Sequence, residues 1–409
     1  MNRLAAPSRV PRVLLFSSLF PSSVRPNHGI FVETRLRELL KSEAVDVRVV
    51  APVPWFPSTN ERFGDYARMA STPRREQRNG VDVLHPRYLL PPKVGMTVAP
   101  LLMALGARAA VQRLLDEGFD FDMIDAHYFY PDGVAAALLA RWFGKPFTVT
   151  ARGTDLNLIP QHRLPRRMMQ WAARRAAGCI GVCAALIDVL RAWGLPADKL
   201  HVMRNGVDLQ RFRPIPQAEA RRAIGFEGAP LLVSVGYLVE RKGHHVAIDA
   251  LARLLPEHPQ ARLLIVGHGE ERERLLALAA RLGVQERVHM VGPQPNIELL
   301  HWYSAADVFL LASSREGWAN VLLESMACGT PVVATDIWGT PEVVTPASGG
   351  RLVAERSGAA FANAIADLLT ATPDRAKVRA YAEAYDWQGT TDAQLALFTQ
   401  LICRGGAHA

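Results

Sequence analysis

The feature that most constrains the fold is a repeated alternation of short apolar runs with amphipathic segments. Residues 13–18 and 45–50 have the length of buried strands, and the helix-spaced segment 30–40 lies between them. Strand, helix and strand in this order form a βαβ unit, which implies a parallel sheet. The series restarts at 231–236 after a turn-rich stretch at 204–216. The chain therefore predicts an α/β protein with two doubly wound domains.

The predicted domain boundaries follow from this restart. Residues 1–204 form the first domain, 205–385 the second, and 386–409 a C-terminal helix expected to cross back to the first domain. A chain of 409 residues is also too long to fold around a single hydrophobic core. Residues 96–115 are predicted to be helical, whereas the polar, proline-containing stretch 55–80 is predicted to be a loop excursion.

The charge is unevenly distributed along the chain. Residues 1–204 carry 28 Lys and Arg against 17 Asp and Glu, whereas residues 205–409 carry 19 against 22. The first part therefore has a formal charge of +11 and the second −3, which indicates a surface in the first domain that meets anions. Anionic lipid fits this pattern better than nucleic acid, because the cations are not interleaved with stacking aromatic residues.

Composition points to a cytoplasmic protein. No apolar run reaches the roughly 18–20 residues that span a bilayer, and residues 1–12 lack the pattern of a cleavable signal. Four cysteines in a chain of this length do not make a disulfide framework. Cys179 and Cys183 share a helical spacing but lack nearby paired ligands, so a metal site is disfavoured.

The stretch 315–329 carries the strongest chemical signal. It follows a buried apolar run at 308–312, and its pattern becomes helical after Gly317. Unpaired amides at such a helix N-terminus attract phosphate-like anions. Glu316 lies at the mouth and Glu324 about two turns further on. These carboxylates can accept hydrogen bonds from hydroxyl groups, as on a sugar or a ribose.

A second signal comes from Arg241 and Lys242, which precede a predicted helix. Two adjacent cations at a helix N-terminus fit a diphosphate, because side-chain charge and amide dipoles add. A solvated cation pair is the commoner explanation for such a dipeptide alone. The position at a strand end, beside the Glu316 loop, favours ligand binding, since doubly wound sheets bind ligands beyond the carboxyl ends of their strands.

Polar residues at the strand ends of the first domain leave alternatives open. His127 follows a buried strand and is either structural or catalytic. Arg152 and Asp155 form either a surface ion pair, which would contribute little stability, or part of a cleft wall. Gly29 either lets the backbone approach a ligand closely or forms a plain turn at the start of a helix.

Taken together, these motifs resemble the retaining glycosyltransferases of family 4. The resemblance rests on Glu316 and Glu324 within Glu-Gly-Trp-Ala-Asn-Val-Leu-Leu-Glu, on Arg241-Lys242-Gly243 and on Asn205-Gly206-Val207-Asp208. It implies the GT-B fold, in which two Rossmann-like domains enclose the active site in a cleft between them. The segments 28–33 and 152–155 resemble a branch that assembles bacterial polysaccharides such as teichuronic acid.

The resemblance implies a role for each matching residue. Arg241 and Lys242 would bind the donor diphosphate, Glu316 the hydroxyls of the donor sugar, and Glu324 those of the ribose. His127 would face the reacting sugar. The further donor contacts implied are Gly29, Gly236, Gly317, Trp318, Ala319, Asn320 and Val321, and the acceptor-side residues are Arg152, Asp155 and Asn205. His28-Gly29 replaces the family's usual glycine doublet, and Arg152 stands where the family often has histidine.

The implied reaction is sugar transfer from a nucleotide-sugar to a saccharide or lipid-linked acceptor in cell-surface polysaccharide synthesis. UDP is the expected nucleotide and GDP the second, and no metal is expected because no DxD motif faces the phosphates. Segment 164–175 combines cations with Met and Trp, so it is either a contact for the anionic inner face of the cytoplasmic membrane or an ordinary amphipathic helix. A sugar-nucleotide 2-epimerase and a non-catalytic sugar-nucleotide-binding protein remain alternatives.

Overall fold

The computed structural model describes residues 10–91, 95–226, 228 and 230–406. The chain divides into two compact units. Unit 1 comprises the chain up to Arg204 together with the stretch from Gln388 onward, and unit 2 comprises Asn205–Trp387. The first division coincides with the predicted boundary after residue 204, and the second lies two residues beyond the predicted one.

Unit 1 is built on an eight-stranded sheet in the order β10-β9-β8-β7-β1-β2-β5-β4. All neighbouring strands are parallel except β4 and β5, and β3 pairs with β6 in a separate two-stranded sheet. The strands are β1 Arg12–Phe16, β2 Asp46–Val50, β3 Val53–Pro54, β4 Arg75–Arg78, β5 Val81–Leu84, β6 Arg87–Tyr88, β7 Met123–His127, β8 Phe147–Ala151, β9 Gly178–Gly181 and β10 Leu200–Val202.

Helices connect these strands, as parallel pairing requires. They are α1 Ile30–Leu40, α2 Asp65–Ala70, α3 Gly95–Asp116, α4 Val134–Phe143, α5 Thr154–Asn157, α6 Arg163–Arg175 and α7 Ala184–Ala192. Every residue of the central strands β7 and β8 is buried, which accounts for their short continuous apolar runs.

Unit 2 has a six-stranded, fully parallel sheet in the order β13-β12-β11-β14-β15-β16. Its strands are β11 Leu231–Val235, β12 Arg262–Val266, β13 Val288–Gly292, β14 Val308–Leu311, β15 Val332–Thr335 and β16 Arg351–Val353. Its helices are α8 Gln217–Ile224, α9 His244–Leu254, α10 Arg272–Arg281, α11 Leu299–Ala305, α12 Asn320–Ala327, α13 Thr340–Val343, α14 Gly358–Ala371 and α15 Arg375–Glu383.

The last helix, α16 Gln388–Gly406, belongs to unit 1. Its apolar residues Leu397, Phe398 and Leu401 are buried in one cluster with Leu36 and Leu39 of α1. Burial of this aliphatic and aromatic surface holds the C-terminal helix against the N-terminal part of the chain, as predicted.

The prediction of a loop at residues 55–80 was wrong. This stretch contains a 3₁₀ turn at Glu61–Phe63, helix α2 and strand β4. Strand β4 has the sequence Arg-Glu-Gln-Arg and lies at the edge of the sheet, where it is antiparallel to β5. A polar edge strand lacks the apolar alternation on which strand prediction rests, although charge at an edge protects the sheet from further pairing.

Helix α3 contains the stretch 96–115 that was predicted to be helical. Within the described part of the chain it alone has the length and mean hydropathy, 1.3, of a segment that could cross a bilayer. It contains Pro100, and it buries Met103, Ala104, Ala107 and Val111 within unit 1. One face of this helix therefore packs against its own unit.

Candidate functional site

The predicted donor residues of unit 2 follow two neighbouring strands. Strands β11 and β14 are adjacent and parallel, so their carboxyl ends meet at the same edge of the sheet. The turn after β11 carries Arg241 and Lys242, and the loop after β14 carries Glu316. The two segments therefore lie side by side, although 74 residues separate Lys242 from Glu316.

Gly243 brings these segments into contact. It lies immediately before α9 with φ at +74°, a backbone conformation that side-chain-bearing residues rarely adopt. A Cβ atom at this position would lie 1.9 Å from the carbonyl oxygen of Ala312. The amide of Ser314 also donates to the carbonyl oxygen of Arg241 at 2.8 Å. Only glycine permits this close approach of the two backbones.

A largely buried ion pair forms where the segments meet, since Lys242 exposes 13% of its side chain and Glu316 exposes 10%. Lys242 Nζ lies 2.6 Å from Glu316 Oε1, which also accepts a hydrogen bond from Ser313 Oγ at 2.7 Å. Arg241 Nη1 lies 3.8 Å from the same oxygen. Burial opposes ionisation of Glu316, but the charge and hydrogen bond of Lys242, with help from Ser313 and Arg241, hold its pKa below the usual value. The site thus presents two cations around one carboxylate.

Arg356 also links the two segments through hydrogen bonds. Its Nε donates to the carbonyl oxygen of Ala312 at 2.7 Å, and its Nη2 donates to that of Glu240 at 2.8 Å. Its Nη1 also lies 3.0 Å from the Glu240 carboxylate. One guanidinium therefore ties the end of β14 to the turn that carries Arg241 and Lys242.

The residues before α12 line the same edge of the sheet. Trp318 and Ala319 are buried, and Asn320 is the first residue of the helix. Asn205 belongs to unit 2, and its side-chain amide donates to Asn320 Oδ1 at 3.2 Å. Gly236 lies beside the aliphatic chain of Lys242, where a Cβ atom would make ordinary contacts of 3.6 Å. The ligand contacts predicted for Gly236, Gly317, Trp318, Ala319, Asn320 and Val321, and the acceptor-side role of Asn205, stay predictions.

Glu324 has a different environment from Glu316. It lies on α12, and its Oε2 accepts a hydrogen bond from Tyr303 Oη of α11 at 2.9 Å. Burial raises its pKa to about 7, and the hydrogen bond from Tyr303 and the charge of Arg211 only partly oppose this. A carboxylate with this pKa takes up or loses a proton near neutrality.

His127 of unit 1 belongs to a buried polar network. Its Nε2 lies 3.0 Å from Oδ2 of Asp125, two residues earlier on β7 and therefore on the same face of the strand. A guanidinium nitrogen of Arg152 hydrogen-bonds to its Nδ1. Because a guanidinium can only donate, Nδ1 is the acceptor and the ring proton is on Nε2. Burial lowers the pKa of His127 to about 4, and Arg152 adds to this against the opposing effect of Asp125, so the ring is neutral at physiological pH.

Asp155 is buried, so its interpretation as half of a surface ion pair was wrong. Its carboxylate accepts hydrogen bonds from the backbone amides of Phe129 at 2.9 Å, Arg152 at 3.0 Å and Gly153 at 2.8 Å. These bonds tie the segment after β8 to the segment after β7. Asp155 thereby fixes the backbone from which Arg152 reaches His127.

Gly29 has a packing reason to be glycine. Its φ is +64°, and a Cβ atom there would lie 1.5 Å from the carbonyl oxygen of Leu19. The residue immediately precedes α1, as the turn interpretation predicts. Its predicted contact with a ligand stays a prediction.

The structure therefore brings Arg241, Lys242 and Glu316 into one cluster, and His127 and Arg152 into another. Sequence reasoning missed several supporting residues, namely Arg35, Asp125, Thr148, Tyr303, Ser313, Arg356 and Gln394. Asp125 could have been found, because a spacing of two on a predicted strand places it beside His127. Ser313 lies three residues before Glu316 in the same loop, whereas the others come from other segments of the chain.

Family models and relatives of known proteins match this chain. Two family models match the chain, "Glycosyltransferase Family 4" over residues 32–211 and "Glycosyl transferases group 1" over residues 216–385. A D-inositol 3-phosphate glycosyltransferase of Corynebacterium urealyticum is 32% identical over 307 residues, which is 69% of this chain and 72% of that protein. The putative teichuronic acid biosynthesis glycosyltransferase TuaC of Bacillus subtilis is 30% identical over 336 residues, which is 80% of this chain and 82% of TuaC.

A solved structure shows the same fold. The structure of the Anabaena protein HepE in complex with UDP superposes with a TM-score of 0.70 at 22% identity. The superposition covers 94% of this chain and 98% of that one.

The environment of Glu324 generates a prediction about stability. Between pH 4.5, the ordinary pKa of glutamate, and about pH 7, the folded protein keeps a proton that the unfolded chain has lost. The free energy of unfolding contributed by Glu324 therefore falls as the pH rises through this window, by roughly 3 kcal/mol in total. We expect Glu324→Gln to be increasingly stabilised relative to the wild type from pH 4.5 to 7, as measured by denaturant unfolding at several pH values.

Tyr303→Phe provides the matched comparison. It removes the hydrogen bond that lowers the pKa of Glu324, so the loss of stability with pH should continue above pH 7. A difference between Glu324→Gln and the wild type that stays constant with pH would contradict the assignment.

Proposed function

The chain belongs to the glycosyltransferases of family 4, which have the GT-B fold, and on this premise we propose that it transfers a sugar from a nucleotide-sugar with retention of configuration. The observation that carries the proposal is the cluster of Lys242 and Arg241 around Glu316, at the carboxyl ends of β11 and β14. This is where doubly wound domains bind nucleotides. Two cations held by one buried carboxylate suit a ligand that carries two phosphates.

The reaction breaks the bond between the anomeric carbon and the diphosphate oxygen. The electron pair leaves with the nucleoside diphosphate, and positive charge builds on the sugar carbon. Lys242 and Arg241 would offset the charge on the leaving group, the kind of electrostatic stabilisation that usually contributes most in such sites. The acceptor hydroxyl then forms the new bond on the same face and gives its proton to the departing phosphate. Because side chains of this chain supply the positive charge, we propose that no metal ion is needed.

Each carboxylate of α12 and its preceding loop would have its own task. Glu316, kept ionised by Lys242, would accept hydrogen bonds from donor-sugar hydroxyls and hold both cations in place. Glu324 would accept hydrogen bonds from the ribose hydroxyls. We propose UDP as the nucleotide and GDP as the second candidate. The likeness of the fold to HepE, whose structure contains UDP, supports this order.

Unit 1 would supply the acceptor side. In this proposal His127 faces the reacting sugar, and Arg152 orients the histidine through Nδ1. The acceptor would be a saccharide or a lipid-linked saccharide in cell-surface polysaccharide synthesis, which the relative TuaC supports by its name and by its coverage of 80% of this chain. A small phosphorylated polyol is the second candidate, because another relative is named for an inositol phosphate.

We propose further that α6 contacts an anionic membrane. Its arginines Arg163, Arg166, Arg167, Arg174 and Arg175 are exposed, and the helix contains no acidic residue. Helix α3, which contacts α6, exposes about half of the Met96, Leu101 and Leu105 side chains. Exposed cations and exposed apolar side chains on two helices in contact suit the inner face of the cytoplasmic membrane, where a lipid-linked acceptor would be found.

A donor screen tests the proposed function directly. Thermal unfolding would be followed in the presence of UDP-, GDP- and ADP-sugars, with EDTA in every buffer. We expect UDP-sugars to raise the midpoint most, because a ligand stabilises in proportion to its occupancy. A response confined to GDP or ADP would overturn the nucleotide assignment. Donor turnover that needs no acceptor would instead favour a 2-epimerase.

The leaving-group role predicts the effect of one substitution. Lys242→Ala should lower kcat by at least roughly 100-fold, the usual effect of losing one charge-stabilising donor. The variant removes the partner of a buried carboxylate, so its circular dichroism and unfolding must be measured in parallel. Lys377→Ala, at an exposed lysine of the same unit, is the matched control. Turnover of a folded Lys242→Ala at the wild-type rate would rule out the role.

Vesicle co-sedimentation tests the membrane contact. Binding should rise with the fraction of anionic lipid and fall with added salt, because it depends on exposed charge. Arg166→Ala/Arg167→Ala should weaken it roughly 30-fold, which corresponds to about 1 kcal/mol for each cation. Arg272→Ala/Arg274→Ala makes the same change of charge on α10 of unit 2 and should bind like the wild type. Binding that does not depend on lipid charge would contradict the proposal and indicate that α6 is an ordinary amphipathic helix.

A further inference from the structure

A chain of buried hydrogen bonds links the C-terminal helix α16 to His127. Gln394 of α16 donates from Nε2 to Asp125 Oδ2 at 3.1 Å. The same oxygen receives the hydrogen bond from His127 Nε2. On its other side, Gln394 Oε1 accepts from Arg35 Nε at 2.9 Å, and Arg35 Nη1 donates to the carbonyl oxygen of Met203 at 3.3 Å. The amide of Gln394 therefore lies between a carboxylate and a guanidinium.

The donor and acceptor roles of the Gln394 amide can be assigned in only one way. An ionised carboxylate can only accept and a guanidinium can only donate, so the amide nitrogen of Gln394 must face Asp125 and its oxygen must face Arg35. The remaining oxygen of Asp125, Oδ1, accepts from Thr148 Oγ1 at 2.8 Å. Each polar atom of the Gln394 side chain has a partner suited to it.

The residues of this network are buried, so the loss of one hydrogen bond affects the positions of the others. Gln394, Asp125, Arg35 and His127 each expose 2% or less of their surface. In such an environment water does not replace a lost hydrogen-bond donor. The carboxylate that loses this donor must then move, or the folded state loses the free energy of the hydrogen bond. Because Asp125 holds the protonated nitrogen of His127, a shift of this carboxylate turns the imidazole or changes its hydrogen bond.

We propose that Gln394 is a positioning residue for sugar transfer, whose amide holds Asp125 where it fixes the ring of His127. The inference rests on the proposed function, in which His127 faces the reacting sugar. It gives α16 a task beyond packing, since the helix completes the hydrogen-bond network of unit 1 from a residue 269 positions away from Asp125.

Gln394→Glu separates this role from a merely structural one. The substitution keeps the size of the side chain and its bond to Arg35, but it sets a carboxylate against Asp125 where an amide donor stood. We expect kcat to fall roughly tenfold or more, the value of one hydrogen bond to a charged group. The KM for the donor should not change, because the residues proposed to bind the diphosphate and the ribose lie in unit 2 and keep their contacts. Gln388→Glu makes the same change at an exposed position of the same helix and should behave like the wild type.

A spectroscopic readout makes the test independent of activity. In protein labelled with ¹⁵N-histidine, the ring signals of His127 would be assigned by their absence from His127→Ala. We expect the wild type to show a neutral ring protonated on Nε2, and we expect the Nε2–H resonance to move in Gln394→Glu but not in Gln388→Glu.

Each outcome has a defined meaning. A fall in kcat without a change in the ring resonance, or a changed resonance with wild-type kcat, overturns the positioning role. An unchanged resonance with wild-type kcat overturns it as well. If the resonance responds but the wild type transfers no sugar from any donor, the proposed function fails and the network stands. Wild-type turnover by His127→Ala counts against both.

Discussion

The ion pair between Lys242 and Glu316 is the interaction on which the candidate donor site depends. A buried carboxylate is costly unless a cation and hydrogen bonds compensate it, and here Lys242, Ser313 and Arg241 do so. The pairing is possible because β11 and β14 are neighbours and because Gly243 lets their following segments touch. Arg356 holds the same two segments through backbone carbonyls. The position of both cations is thus set by the sheet and not by flexible side chains alone.

The cluster of Arg241, Lys242 and Glu316 could be predicted from sequence because each part is local. A strand of four or five apolar residues, followed at once by a charged or glycine-rich segment, shows where a strand ends and what stands there. The rule that parallel strands place their carboxyl ends at one edge of the sheet then predicts Lys242 and Glu316 at the same edge, and the adjacency of β11 and β14 brings them into contact. The division after residue 204 was predictable for a similar reason, since the turn-rich stretch interrupts the apolar alternation.

The network around His127 could be predicted only in part. The spacing of Asp125 and His127 shows that they share a strand face, but nothing local places Gln394 or Arg35 beside them. Buried polar residues on amphipathic helices carry no periodic signal, because a glutamine on the inner face of α16 interrupts the apolar stripe without indicating a partner. The edge strand β4 escaped prediction for the related reason that its residues are polar. Tertiary hydrogen bonds and edge strands are the features that hydrophobic periodicity does not encode.

Glu316 and Glu324 show why a motif does not determine the chemistry of its residues. Both carboxylates are largely buried and lie eight residues apart, yet the pKa of Glu316 is below its usual value and that of Glu324 is about 7. The difference follows from their partners, since a lysine faces one and a tyrosine hydroxyl the other. In the unliganded protein a cation compensates the charge of Glu316, whereas Glu324 accepts a hydrogen bond from a neutral tyrosine hydroxyl. A ligand that brings two hydroxyl groups to Glu324 would donate hydrogen bonds to this carboxylate, which would favour its ionised form and contribute to the binding free energy.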